Sequence, residues 1–124
     1  MKYTGEQLAA LTKMGIAMTL ADGKVTEEEK LAVSMELVSF GVQQLDGVII
    51  LSNAESMDYG VALAILSSMS DEQKKYATGY LATIMAIDGD VDDSEVKLWQ
   101  LICTLGGFPI MNISEALSFW ASHK

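Results

Sequence analysis

Leu8, Leu11, Met14 or Gly15, Met18 and Ala21 return every three or four residues, the stripe of a helix with one apolar face. Ile16 and Leu20 widen the stripe, so this first helix is expected deep in the core. Thr4 precedes it and Gln7 follows three residues later, the spacing of a capping box. A second such helix is expected over 71–87, with Tyr76, Tyr80, Leu81, Ile84 and Ile87 inward, and Ser70 and Gln73 as its box. Gly23 and Gly89 then supply the residue that ends a helix without Cβ strain. Thr26 with Glu29, and Asp92 with Glu95, open the following helices. Those helices bury Val33, Met35 and Leu37 in one case and Leu98, Trp99, Leu101 and Ile102 in the other. Gly41 and Gly106-Gly107 close them, and shorter helices are expected over 45–53 and 113–122. A strand over 48–51 is the alternative for one short apolar run.

These elements repeat. Asp88 follows Asp22 by 66 residues, and at that offset Gly23 meets Gly89, Val25 meets Val91 and Glu29 meets Glu95. The register holds beyond the loop. Thr4-Gly5-Glu6-Gln7 falls on Ser70-Asp71-Glu72-Gln73, Gly41 on Gly107, and Leu51-Ser52 on Leu117-Ser118. The sequence SEAL opposite 48–51 favours helix there. The reading is therefore all-α, about seven helices, with two three-helix units (4–54 and 70–120) joined by an apolar bridging helix over 56–69. Neither unit alone could bury its first helix, so one domain over 1–124 with pseudo-twofold symmetry is expected.

Charge narrows the classes of partner. Eight Lys/Arg against 17 Asp/Glu give a formal net charge of −9. Such a surface repels phosphate backbones and anionic headgroups, which disfavours nucleic acid and favours cations or a basic protein face. The N-terminus is unlike a secretory signal, and the longest apolar run, 61–66, is too short to span a bilayer, so no membrane insertion is expected. A lone cysteine, Cys103, suits a reducing compartment, and a cytoplasmic location is the expectation.

The Asp-Gly loops invite a metal. With Asp88 at position 5 of an EF-hand, Gly89, Val91, Asp92 and Glu95 fall on positions 6, 8, 9 and 12. Positions 1 and 3 are then Ile84 and Ala86, or Met18 and Leu20 in the first copy, and none of these side chains donates oxygen. The loops are not EF-hands. Asp22 and Asp88 can instead accept turn N–H groups, and Glu29 and Glu95 sit where a carboxylate caps a helix. This capping role is the favoured account. The functional alternative has Asp22, Glu29, Asp88 and Glu95 converging on Ca²⁺ or Mg²⁺, the ions that oxygen-only ligands suit, with Glu27, Glu28, Asp90 and Asp92 deepening the field.

At these residues, Ala21-Asp22-Gly23-Lys24-Val25-Thr26-Glu27-Glu28-Glu29 and Ile87-Asp88-Gly89-Asp90-Val91-Asp92-Asp93-Ser94-Glu95, the chain resembles the TerB-like family. That family comprises the tellurite-resistance proteins and the related domain of some DnaJ-type co-chaperones. The resemblance covers nearly the whole chain, although Ile87 stands where Ala is usual. It implies an all-α pseudo-twofold fold with an acidic face. It also implies binding of a divalent cation or a protein in bacterial stress responses, with Asp22, Glu29, Asp88 and Glu95 as site residues and no enzymatic activity. A tellurite phenotype does not follow from a fold.

Catalytic groups are scarce. The single His, His123, is next to last, and Cys103 is expected as an inert core thiol. Met14, Met18, Met35, Met57, Met69 and Met85 lie on apolar helical faces and read as core packing. Phe119 and Trp120 are adjacent in the last helix, which is expected to dock on the first unit, a homodimer or partner seam being the alternative. A non-enzymatic adaptor with an acidic face and an unidentified protein partner is the leading functional expectation, and a Ca²⁺/Mg²⁺ module the second.

Overall fold

A computed structural model describes residues 3–19, 44–86 and 93–123. All regular structure among them is helical: α1 (Gly5–Thr19), α2 (Gln44–Ser56), α3 (Tyr59–Ser67), α4 (Asp71–Ala86), α5 (Asp93–Leu105) and α6 (Ile113–His123). The all-α expectation holds, and 48–51 is helix rather than strand. The helix expected after Thr26, with Val33, Met35 and Leu37, lies outside the described residues, as do both Asp-Gly loops.

α1 starts where its capping box places it. Thr4 N–H donates to Gln7 Oε1 at 2.9 Å and Gln7 N–H to Thr4 Oγ1 at 3.1 Å. The helix is buried nearly all round because it serves two clusters. Leu8 and Ala9 meet Ile50 and Ala54 of α2, while Leu11, Met14 and Met18 face the main core. Thr12 is fully buried on this helix, and its hydroxyl donates to Leu8 O at 2.8 Å, which spares it an unmet hydrogen bond.

α4 is built the same way. Ser70 N–H donates to Gln73 Oε1 at 3.0 Å, and Gln73 N–H to Ser70 Oγ at 3.2 Å. Thr78, 66 residues beyond Thr12, is likewise fully buried and donates to Lys74 O at 2.8 Å. Tyr76, Tyr80, Leu81 and Ile84 are inward as expected; Ile87 is outside the described residues. α1 packs on α4, and the two caps meet where Gln73 Nε2 donates to Gln7 Oε1 at 3.2 Å. Ser70→Ala should remove about 1 kcal/mol of stability, read as a lowered urea midpoint with an unchanged slope.

The bridging helix differs from its expected bounds of 56–69. α2 runs on to Ser56, the chain bends by 115°, and α3 begins only at Tyr59. Asp58 is extended (φ −73°, ψ 147°) and its carbonyl accepts the first helical bond, from Ala62 N–H at 3.0 Å. α3 presents Ala62 and Leu66, one turn apart, to the core and packs on α1.

α5 ends as Gly106-Gly107 predicts. Gly107 has φ +68°, Phe108 N–H donates to Cys103 O at 2.8 Å and Gly107 N–H to Thr104 O at 3.3 Å, the bond pair of a Schellman cap. Trp99 and Ile102 are buried, but Leu101, expected inward, is half exposed at 52%. It lies on the side of α5 turned toward α3, where no helix among the described residues closes over it. Asn112 and Glu115 supply a further capping box for α6: Glu115 N–H donates to Asn112 Oδ1 at 2.8 Å and Asn112 N–H to Glu115 Oε1 at 3.3 Å.

Docking of α6 on the first unit, as expected, would involve residues 20–43, which lie outside the described residues. Among the described residues the extensive contact of α6 is with α4, inside its own unit. Gly79 permits this, since a Cβ there would sit 2.7 Å from Ala116 O and 2.9 Å from Trp120 Cβ. Both rings meet aromatic partners within the chain. Trp120 is buried, with its ring centroid 4.6 Å from that of Tyr76 and 5.6 Å from that of Tyr80. Phe119 meets Tyr76 edge-on at 6.4 Å and carries Lys75 Nζ 4.7 Å from its ring centre. Of the methionines assigned to the core, Met14, Met18, Met69 and Met85 are buried and Met57 is half-buried; Met35 lies outside the described residues.

Candidate functional site

Of the four acidic site residues, only Glu95 lies among the described residues; Asp22, Glu29 and Asp88 do not, nor do Glu27, Glu28, Asp90 and Asp92. Glu95 is the third residue of α5 and is buried at 7% exposure, whereas Asp93 and Ser94 before it are exposed. Its position in the first turn is the one where a carboxylate meets the positive end of the helix. Among the described residues, no three His, Cys, Asp or Glu side chains lie together as metal ligands would.

Other acids among the described residues lie on the surface. Glu6, Glu55, Asp58, Asp71, Glu72, Asp93 and Glu115 are all exposed. Two of the lysines turn toward aromatic rings: Lys75 toward Phe119, and Lys13, whose Nζ lies 4.6 Å from the centre of Tyr59. No single helix among the described residues is long and apolar enough to cross a membrane.

Cys103 is half-buried rather than fully enclosed. Burial pushes its thiol from 9.0 up to about 12, against a hydrogen bond with Thr78 that pulls the other way. The group is therefore a neutral thiol at physiological pH, which suits packing and not nucleophilic attack. Because the folded value is raised, the associated stability is present below pH 9.0 and drains away as pH climbs toward about 12. Cys103→Val should flatten that alkaline loss, and a disulfide reagent at pH 8 should label the native thiol slowly and the urea-unfolded one fast. Burial raises Tyr3 and Tyr76 as well, and Tyr3 donates its hydroxyl to Gln73 O at 2.7 Å.

Two concavities flank α5. One, about 330 Å³, lies between α1, α3 and α5 and is lined by Met14, Tyr59, Leu63, Leu98, Leu101 and Leu105. The other, about 350 Å³, lies between Thr78 of α4, α5 and the segment 108–111, with Trp99, Cys103, Phe108 and Met111 in its wall. The sequence reading missed both. Its available signal was Phe108-Pro109-Ile110-Met111, four apolar residues in a stretch that proline and the preceding glycines keep out of any helix.

A scan against protein-family models matches none, and a search of curated proteins finds no similar sequence. A solved structure does match. PG1108, a protein of unknown function from Porphyromonas gingivalis W83, shares 39% sequence identity with this chain at a TM-score of 0.85. The match covers 98% of this chain and 92% of that one. With that identity held over nearly the whole of both chains, the protein belongs to the same family as PG1108.

Proposed function

We propose that this chain is a non-enzymatic adaptor of TerB-like type that presents an acidic surface to a basic face of a protein partner, in a cytoplasmic stress response. One observation carries the reading: in a chain of formal charge −9, seven described carboxylates are exposed, and all of these but Glu55 stand at helix starts. The pseudo-twofold duplication belongs to the same reading. It is supported by two capping boxes 66 residues apart whose glutamines bond to each other, and by Thr12 and Thr78 occupying like positions on α1 and α4. The test is capture by the full chain followed by a salt gradient. Basic partners should be released well before 1 M salt, where exposed charges are screened beyond about 3 Å. Partners retained unchanged at 1 M salt, or captured equally by a variant carrying Glu6→Gln, Glu72→Gln and Glu115→Gln, would count against it.

A divalent-cation module is the second reading, for which Glu95, buried in the first turn of α5, is the candidate ligand among the described residues. Calorimetric titration with Ca²⁺ and Mg²⁺, repeated on Asp22→Asn and Asp88→Asn, decides the point. Heat that disappears in the variants supports a shared site, and no heat at millimolar metal removes it.

A further inference from the structure

The cleft beside α5 is a built feature rather than a gap between helices. Gly107 at φ +68° turns the chain, and Phe108 folds back so closely that a Cβ on Gly106 would lie 2.9 Å from its ring. This fixes Phe108 at the base of the cleft, and Trp99, held by its indole N–H on Thr78 O at 3.3 Å, lies there too; both rings are buried. Beyond Pro109, Ile110 stands at the lip with 102% exposure, and no packing accounts for an isoleucine there. At the 66-residue offset Ile110 falls on Gln44, Pro109 on Gln43 and Trp99 on Val33, so the first unit carries no like set.

The chemistry of the lining defines what fits. Among the described residues, no charged side chain lines the cleft, and the polar groups are the hydroxyls of Thr78 and Thr104, the Gln100 amide and the Cys103 thiol. An uncharged, largely apolar lining favours a neutral ligand, since the described lining residues offer neither an anion nor a cation a counter-charge. About 350 Å³ lies at the small end of ligand-site volumes.

We propose that this cleft binds a small, uncharged, largely apolar molecule of one or two rings, seated over the base that Trp99 and Phe108 form, with Ile110 at its lip free to close on it. It is independent of the acidic-face reading, and either can fail alone. The probe is N-phenyl-1-naphthylamine, a neutral two-ring fluorophore, titrated into the full chain with its emission followed. A saturable rise with micromolar affinity is expected, about tenfold weaker in Ile110→Asp and in Cys103→Phe, which alter the lip and fill the wall. Ile110 is fully exposed, so its variant tests the site even where Cys103→Phe fails to fold. Val48→Asp, on the exposed face of α2, should leave the titration unaltered. No saturable rise, equal affinity in Ile110→Asp, or an equal loss in Val48→Asp overturns the proposal.

Discussion

Trp120→Ala is expected to lower stability by about 3–5 kcal/mol, the range for removing a large buried ring without full collapse of the space. Trp120 is 2% exposed and is shared between Tyr76, Tyr80 and the backbone of α4 at Gly79. Its loss leaves a hole that flexible side chains cannot close, because the surrounding rings are themselves fixed: Tyr76 by Phe119 and Tyr3, and Tyr80 by full burial. Urea unfolding followed by far-ultraviolet circular dichroism measures the loss. Trp120→Phe, which keeps a ring, should lose less. Phe119→Ala should lose less as well, because Phe119 is half-buried and rests partly under a lysine. A Trp120→Ala loss below about 1 kcal/mol, the scale of one helix cap, would mean that α6 is not anchored through this ring.

The same helix shows where sequence reasoning reaches and where it stops. Thr4 with Gln7, Ser70 with Gln73, and Gly107 were legible because each is a local device: its partner lies three to five residues away, and the geometry follows from residue type. The inward faces of α1 and α4 were legible for a related reason, since helices buried all round leave little choice of face. Helix-to-helix choices were not. That α6 packs on α4 depends on the missing side chain at Gly79, a feature whose partner, Ala116, is far along the chain. Leu101 has the same character as Ile102 and differs only in what lies opposite it, so hydrophobicity assigned both inward. The start of the bridging helix was misplaced because the apolar pattern already includes Met57, while Asp58 adopts an extended backbone with no side-chain cap bond to announce the new helix. The acidic site is legible only as a pattern. Glu95 is where a capping residue belongs, and the convergence of its three companions depends on distances that pattern does not encode.

Gly79→Ala should cost about 2 kcal/mol, although alanine is the better helix former by about 1 kcal/mol. The substitution is the smallest available, yet the added methyl would lie 2.7 Å from a backbone carbonyl and 2.9 Å from a Cβ, neither of which can rotate away. Relief requires α6 to move as a body, which also parts Trp120 from Tyr76 and Tyr80. Overpacking in a core typically costs about 1–3 kcal/mol, and here it outweighs the propensity gain because the strain falls on backbone. The control is internal to the helix. Thr83→Ala, one turn along α4, removes a hydroxyl bonded to Gly79 O at 3.0 Å and should change stability by well under 1 kcal/mol. A double-mutant cycle then separates contact from propensity. If close approach of α6 is the cause, Gly79→Ala should cost less in a Trp120→Ala background, where the helix is already loosened. Equal cost in both backgrounds would place the strain elsewhere, and a stabilising Gly79→Ala would show that α6 sits farther from α4 than these distances require.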